Sequence, residues 1–98
     1  MKISWTPTAR KTYFNILEYL EQTWTKREAL NFVDEVEKVL NQIKGNPDMF
    51  EASSKKKNLR KGHITRYNSL YYRVKPRNKE LELLTFWDNR QDPKKLIW

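Results

Sequence analysis

Leu70-Tyr71-Tyr72-Arg73-Val74, a turn at Pro76-Arg77-Asn78-Lys79, and a second run from Leu81 to Trp87 decide the fold of this chain. Each run is rich in β-branched, aromatic and large apolar residues, and the connection between them is short and turn-forming, so the three together predict a β-hairpin. Side chains alternate across a strand. Leu70, Tyr72 and Val74 therefore point to one face of the sheet and Tyr71, Arg73 and Lys75 to the other. The second run alternates at first, with Leu81 and Leu83 set against Glu80 and Glu82. It then becomes apolar on both sides at Leu84-Thr85-Phe86-Trp87, the pattern of a strand at the centre of a sheet.

Working outward, the run from Leu59 to Tyr67 reads as a strand before the hairpin, and Lys2-Ile3-Ser4-Trp5 as a short first strand. Between them lie two amphipathic segments. Thr6-Pro7 opens the first, because a hydroxyl can cap free backbone amides and proline suits a position whose amide has no partner. Ala9, Tyr13, Ile16, Leu17, Leu20 and Trp24 follow at helical spacing, with an end expected near Thr23. Thr25-Lys26-Arg27-Glu28 has the form of a capping box, and Ala29, Phe32, Val33, Val36, Leu40 and Ile43 make a second stripe. Gly45 and Pro47 are expected to stop it, the glycine in a left-handed conformation. Residues 48–58 show no periodicity and read as a solvated loop. The order strand, helix, helix, three strands gives an α+β fold, a helical hairpin packed on one face of a twisted, mainly antiparallel sheet. Ninety-eight residues suit one domain, 1–98.

Charge is divided unevenly along the chain. Residues 1–50 carry seven Lys/Arg against seven Asp/Glu, and residues 51–98 carry thirteen against five, so the net charge of +8 belongs to the β-rich half. Cations there are interleaved with aromatic side chains, and a polyanion or an acidic protein is the expected partner. Tyr71 and Arg73 are expected on the open face of the sheet, with Arg60 and Arg66 beside them if the preceding strand keeps register. Arg60 could equally pair with Asp88, Glu80 or Glu82 across the sheet. There is no cysteine, so neither disulfides nor thiolate chemistry are available, and a cytoplasmic location is the default expectation. A single histidine, His63, and the absence of a calcium-loop spacing leave no expected metal or cofactor. The amino terminus has no apolar run of signal-peptide length, and no segment approaches the roughly 20 apolar residues of a membrane span.

The arginine-bearing strand Leu59-Arg60-Lys61, the strand Leu70-Tyr71-Tyr72-Arg73-Val74 and the ending Phe86-Trp87-Asp88-Asn89-Arg90-Gln91-Asp92-Pro93-Lys94-Lys95-Leu96 resemble the RelE/ParE superfamily of toxins from bacterial type II toxin–antitoxin systems. The resemblance spans nearly the whole chain. It implies a toxin held harmless by a cognate acidic antitoxin that wraps a helix and a strand around it. Free toxin would block growth either by binding DNA gyrase, as ParE-type members do, or by cutting mRNA on the ribosome, as RelE-type members do.

Metal-free RNA cleavage needs a base for the 2′-hydroxyl, an acid for the leaving oxygen and fixed positive charge for the transition state. RelE-type enzymes supply these from basic residues on the second strand, an arginine at the start of the third, and a basic or aromatic group near the C-terminus. Here Arg60 matches one second-strand position and Arg90 lies near the C-terminal one, but Gly62 and Ser69 stand where a lysine and the third-strand arginine are expected. His63 and Tyr71 are the candidate bases if the protein is a nuclease. The incomplete set favours the gyrase-binding alternative, with Arg60, Arg66, Tyr71, Arg73, Arg90 and Trp98 as candidates for contact with target or antitoxin. A general nucleic-acid-binding module is a third reading, weakened by the lack of a Lys/Arg-rich helix. Asn89-Arg90-Gln91-Asp92-Pro93 also has the composition of a chain-terminating turn. Leu96-Ile97-Trp98 is apolar and is expected to fold back or to meet the antitoxin or a second copy.

Overall fold

A computed structural model describes residues 1–53, 56, 58–91, 95 and 96. Its elements are β1 (Lys2–Trp5), α1 (Pro7–Thr23), α2 (Lys26–Gly45), β2 (Leu59–His63), β3 (Asn68–Lys75) and β4 (Glu80–Asp88), with one turn of 3-10 helix at Pro76–Asn78. The sheet order is β1-β4-β3-β2. β2, β3 and β4 form an antiparallel meander, and β1 joins β4 in parallel. The apolar pattern of β4 is thus that of a central strand, flanked on both sides.

That strand also carries a bulge. Tyr71 opposes Thr85 and Tyr72 opposes Leu83, which leaves Leu84 as an extra residue on β4. The insertion resets the alternation: Leu81 and Leu83 face the helices before the bulge, and Phe86 does so after it. They join Leu70, Tyr72 and Val74 of β3 and Phe32, Val36, Val39 and Ile43 of α2 in one apolar core. Trp5 stacks on Phe86 at 5.5 Å between ring centroids, and Tyr13 meets Trp5 edge-on at 5.2 Å.

Both helix starts follow the sequence. Thr6 Oγ1 accepts the Ala9 amide at 3.1 Å and Thr25 Oγ1 accepts that of Glu28 at 3.3 Å. Thr6 has a second task, since its hydroxyl also donates to the Leu83 carbonyl at 2.8 Å. On the next turn Thr12 Oγ1 accepts the Phe86 amide at 2.9 Å while donating to the Thr8 carbonyl at 2.8 Å. These two threonines fasten α1 to the backbone of β4.

Four expectations need correction. β2 ends at His63, because residues 64–67 form a turn held by Thr65, whose hydroxyl accepts the amides of Tyr67 and Asn68 at 3.2 Å each; Arg66 lies in that turn and not on a strand. In α2 Val39 joins Ala29, Phe32, Val36 and Ile43 as buried, whereas Val33 and Leu40 are half-buried, so the stripe is rotated slightly from the sequence reading. Gly45 keeps a negative φ and remains the last helical residue, and the following Asn46 donates its amide to the Gln42 carbonyl at 2.9 Å. Lys79 takes the left-handed conformation in the β3–β4 connection (φ 50°), as Asn58 does before β2 (φ 63°).

Tyr72 is the largest side chain fully enclosed by the core. Its hydroxyl donates to the Pro47 carbonyl at 3.0 Å and so ties the loop after α2 to the sheet. Burial pushes its pKa up to about 12; the nearby Arg60 acts in the opposite sense and Asp48 adds to the rise. A pKa raised above its unfolded value of about 10 stabilises the fold fully below that pH, and the contribution disappears as pH climbs through the folded value. Urea melts should therefore show stability falling between about pH 10 and 12. Tyr72→Phe should lose about 1 kcal/mol at neutral pH, from the missing hydrogen bond, and should flatten the alkaline decline. In the helical layer, Val36→Ala should cost about 2–4 kcal/mol by opening a cavity. Leu30 is 55% exposed, and Leu30→Ala should change stability by no more than about 0.5 kcal/mol. Equal losses at the two positions in the same melts would contradict this assignment of the buried face.

Candidate functional surfaces

The register of β2 on β3 decides which basic side chains reach solvent. Arg60 opposes Tyr72 and Lys61 opposes Tyr71. Tyr72 belongs to the core, so Arg60 lies on the helix-covered face and Lys61, with His63, on the other. Arg60 is accordingly absent from the open face where the sequence reading put it. Its Nη1 donates to the Phe50 carbonyl at 2.5 Å and its Nη2 pairs with Asp48 at 3.1 Å. None of the sheet carboxylates expected as its partners is used. This guanidinium is a clamp on the loop joining α2 to β2.

Gly62 shares that covered side, where a Cβ would stand 3.2 Å from the Phe50 ring. Any side chain there would have to displace the Phe50 ring slightly. Ser69, on the opposite face, is fully buried and its hydroxyl donates to Asn89 Oδ1 at 3.0 Å. Two of the positions where the resemblance implies cations are thus packing positions in this chain.

The face away from the helices is not bare, since Leu59, Ser69 and Thr85 are all buried on it. Around them it presents Tyr71, Arg73 and Lys75, all half-buried. Arg73 and Lys75 share Glu82, at 3.5 and 3.2 Å, so two cations meet one carboxylate. Lys61 stands 5.8 Å above the Tyr71 ring. Beside it a cleft of about 400 Å³ has Lys61, His63, Tyr71, Glu51 and Arg60 among its lining residues. Of these, Lys61 and Glu51 were not singled out from sequence. The signal for Lys61 was the simple alternation of β2, which gives Arg60 and Lys61 opposite faces.

A second, more apolar groove of about 590 Å³ lies where the end of α1 meets the β2–β3 turn and the end of β4. Tyr19, Leu20, Trp24 and Tyr67 supply its apolar lining, and Asp88 and Arg90 reach it from β4 and the residues beyond. Arg90 is fixed by a bidentate pair with Asp88, at 2.9 and 2.7 Å, and its guanidinium lies 4.6 Å over the Tyr67 ring. Arg66 approaches the same ring at 5.5 Å. The Arg90 hydrogen bonds hold the Asp88 carboxyl below its ordinary range, and Asp88 in turn raises Arg90. Arg66 and Arg90 therefore both approach Tyr67. Trp98 lies outside the described residues.

A model of the family described as ParE toxin of type II toxin–antitoxin system, parDE, matches residues 3–93. The chain belongs to this family. It is a toxin of a type II system, with an antitoxin as its partner. No match is found among curated proteins. Among solved structures, the fold is similar to that of a chain from a chromosomal ParDE system of P. aeruginosa (22% identity, 90% of this chain and 95% of that one covered, TM-score 0.66). It is also similar to a YoeB/ParE toxin from Agrobacterium tumefaciens (19% identity, 90% and 98% covered, TM-score 0.64). Both likenesses match the β-α-α-β-β-β order of this toxin. Among the described residues no helix is long and apolar enough to cross a membrane, and no group of three or more potential ligands is placed to hold a metal ion.

The two strand arginines should respond differently to truncation. Arg60→Ala removes charge-assisted bonds to a backbone carbonyl and to Asp48, and should cost about 1.5–3 kcal/mol in a urea melt. Arg73→Ala, at a solvent-screened pair, should stay within about 0.5 kcal/mol of the parent. Similar losses for both would show that Arg60 is not a structural clamp.

Proposed function

We propose that this toxin arrests growth in the cytoplasm by binding DNA gyrase through the sheet face that carries Tyr71 and Arg73, without cutting RNA, and that residues 1–98 act as one unit neutralised by an acidic antitoxin. The observation that carries the reading is the engagement of the cations a nuclease would need. Arg60 is turned under the sheet and held by Asp48 and Phe50, and Arg90 is closed into a bidentate pair with Asp88. A transition-state clamp requires guanidinium groups free to meet a phosphate oxygen as charge develops. Arg60, little exposed under the sheet, would first have to break its bonds to Phe50 and Asp48. Tyr71 and Arg73 sit on β3 with half-exposed side chains of the types that dominate protein–protein hot spots, Arg73 in a solvent-screened pair with Glu82. The basic β-rich half supplies long-range attraction for an acidic antitoxin.

One observation favours the RNA-cleaving alternative. Lys61, His63 and Tyr71 line a single cleft together with Glu51, a set that contains a cation and two groups able to move a proton. The two readings separate in vitro. On the gyrase reading, purified toxin inhibits supercoiling and leaves ribosome-bound mRNA intact, and Tyr71→Ala combined with Arg73→Ala raises the inhibitory concentration about tenfold or more. Cleavage of mRNA in a purified translation system, lowered about 10²-fold by His63→Ala or Lys61→Ala with normal supercoiling, would establish the alternative instead.

A further inference from the structure

The outward face of α1 belongs to neither of the surfaces described above. At about 3.6 residues per turn, Pro7, Arg10, Lys11, Phe14, Glu18 and Glu21 all lie within about 60° of the direction of Phe14. All six are exposed, Phe14 at 58%, and none of them lines either concavity. A large apolar ring therefore stands in solvent at the middle of a charged stripe.

The charges on that stripe are sorted by sign. With a rise of about 1.5 Å per residue, Arg10 and Lys11 stand about 6 and 4.5 Å before Phe14 along the helix, and Glu18 and Glu21 about 6 and 10.5 Å after it. None of the four has an opposite charge three or four positions away, where a pair within the helix could form. None takes part in an ion pair among the described residues. Burial raises the Tyr13 pKa and Glu37 of α2 adds to the rise, so this carboxylate stands near the cationic end and offsets one of its two charges. Helix stability does not account for the order. The macrodipole favours carboxylates near a helix N-terminus and cations near its C-terminus, yet α1 has no acidic residue in its first turn and no basic one in its last, where Glu21 stands.

We infer that this stripe is a self-association surface, which takes α1 of a second copy of the chain antiparallel about a two-fold axis beside Phe14. Such an axis reverses direction along the helix but leaves each side of the stripe on its own side. Lys11 and Glu18 lie on one side of Phe14, and Arg10 and Glu21 on the other. Lys11 thus meets Glu18 of the second copy and Arg10 meets its Glu21, which sets four ion pairs around two Phe14 rings. A parallel pair would place like charges together. The helix is about 25 Å long, too small a footprint for the roughly 1,200 Å² of a stable interface, so the dimer is reversible, with a micromolar dissociation constant. The inference does not depend on which target the toxin binds.

The test is sedimentation of the full chain from about 1 µM to 1 mM, which should show reversible dimerisation that weakens several-fold from low to high salt. Phe14→Glu should weaken it about tenfold or more. Two double variants, Arg10→Glu with Lys11→Glu and Glu18→Lys with Glu21→Lys, should each fail to self-associate but should associate with one another when mixed. The chain carrying all four changes should dimerise as the parent does. Both double variants should melt at or above the parent's temperature, because their charges then agree with the helix dipole. A monomer over the whole concentration range would overturn the inference. So would a dimer that Phe14→Glu and both double variants leave within about threefold of the parent. A third result would do the same: a monomeric parent whose affinity for the purified product of the adjacent reading frame falls about tenfold or more in Phe14→Glu, which would give the stripe to the antitoxin.

Discussion

The backbone of β4 beyond the end of β1 is the constraint on which the rest of the structure depends. β4 lies between β3 and β1, but β1 is only four residues long and stops opposite Leu83. Past that point a strand buried against helices would carry amides with no ladder partner, a cost of about 1–3 kcal/mol for each unsatisfied group. The chain solves this with the helix that follows β1. Thr6 extends the ladder through its amide, 3.1 Å from the Leu83 carbonyl, and Thr12 takes the Phe86 amide one and a half turns into α1. The same residues that begin the helix therefore complete the sheet, and the angle between α1 and β4 is set by hydrogen bonds as well as by packing.

From that attachment the face assignments follow. The bulge at Leu84 falls where Thr6 Oγ1 also approaches the Leu84 carbonyl, at 3.1 Å. It lets Leu83 and Phe86 both point at the helices, which an unbroken strand could not do. β3 takes its register from β4 and β2 takes its register from β3, so the placement of Arg60 under the sheet and of Lys61 above it is inherited from a bulge two strands away. A slip of one residue would exchange them and turn a structural clamp into a surface cation.

This inheritance explains what could be read from sequence. The element order, the helix starts at Thr6 and Thr25 and the central position of β4 each rest on local patterns spanning a few residues, and they were legible. The end of β2 was not, because Ile64-Thr65-Arg66-Tyr67 continues a β-like composition and only the Thr65 side-chain bonds show it to be a turn. Arg60 was misplaced for a different reason. Alternation gives a relative face, and the absolute face depends on Tyr72 and on the loop bearing Asp48 and Phe50, which has no periodicity to read. Likewise the groove draws on α1, the β2–β3 turn and the residues after β4, three segments that no sequence window contains. Trp24 was read as the last member of the helical stripe, yet the link to α2 leaves it 64% exposed.

The division of labour among the arginines has an energetic logic. A toxin must stay folded when its antitoxin is removed, so groups that stabilise the fold are poor choices for contacts that are made and broken. Arg60, with its side chain 20% exposed, has lost most of its hydration and must keep its partners, whereas Arg73 at 40% and Arg90 at 51% retain much of theirs. For these exposed groups exchanging an internal carboxylate for one on another protein costs little, because water screens both arrangements alike. Net affinity then has to come from apolar surface, and charge acts mainly on the rate of encounter. In this toxin Tyr19, Trp24 and Tyr67 present exposed rings in one groove, and Phe14 presents another elsewhere on α1. The groove itself is lined by two carboxylates, Glu28 and Asp88, and one guanidinium, Arg90, so contact there is chiefly apolar, while the basic sheet half acts on encounter from a distance.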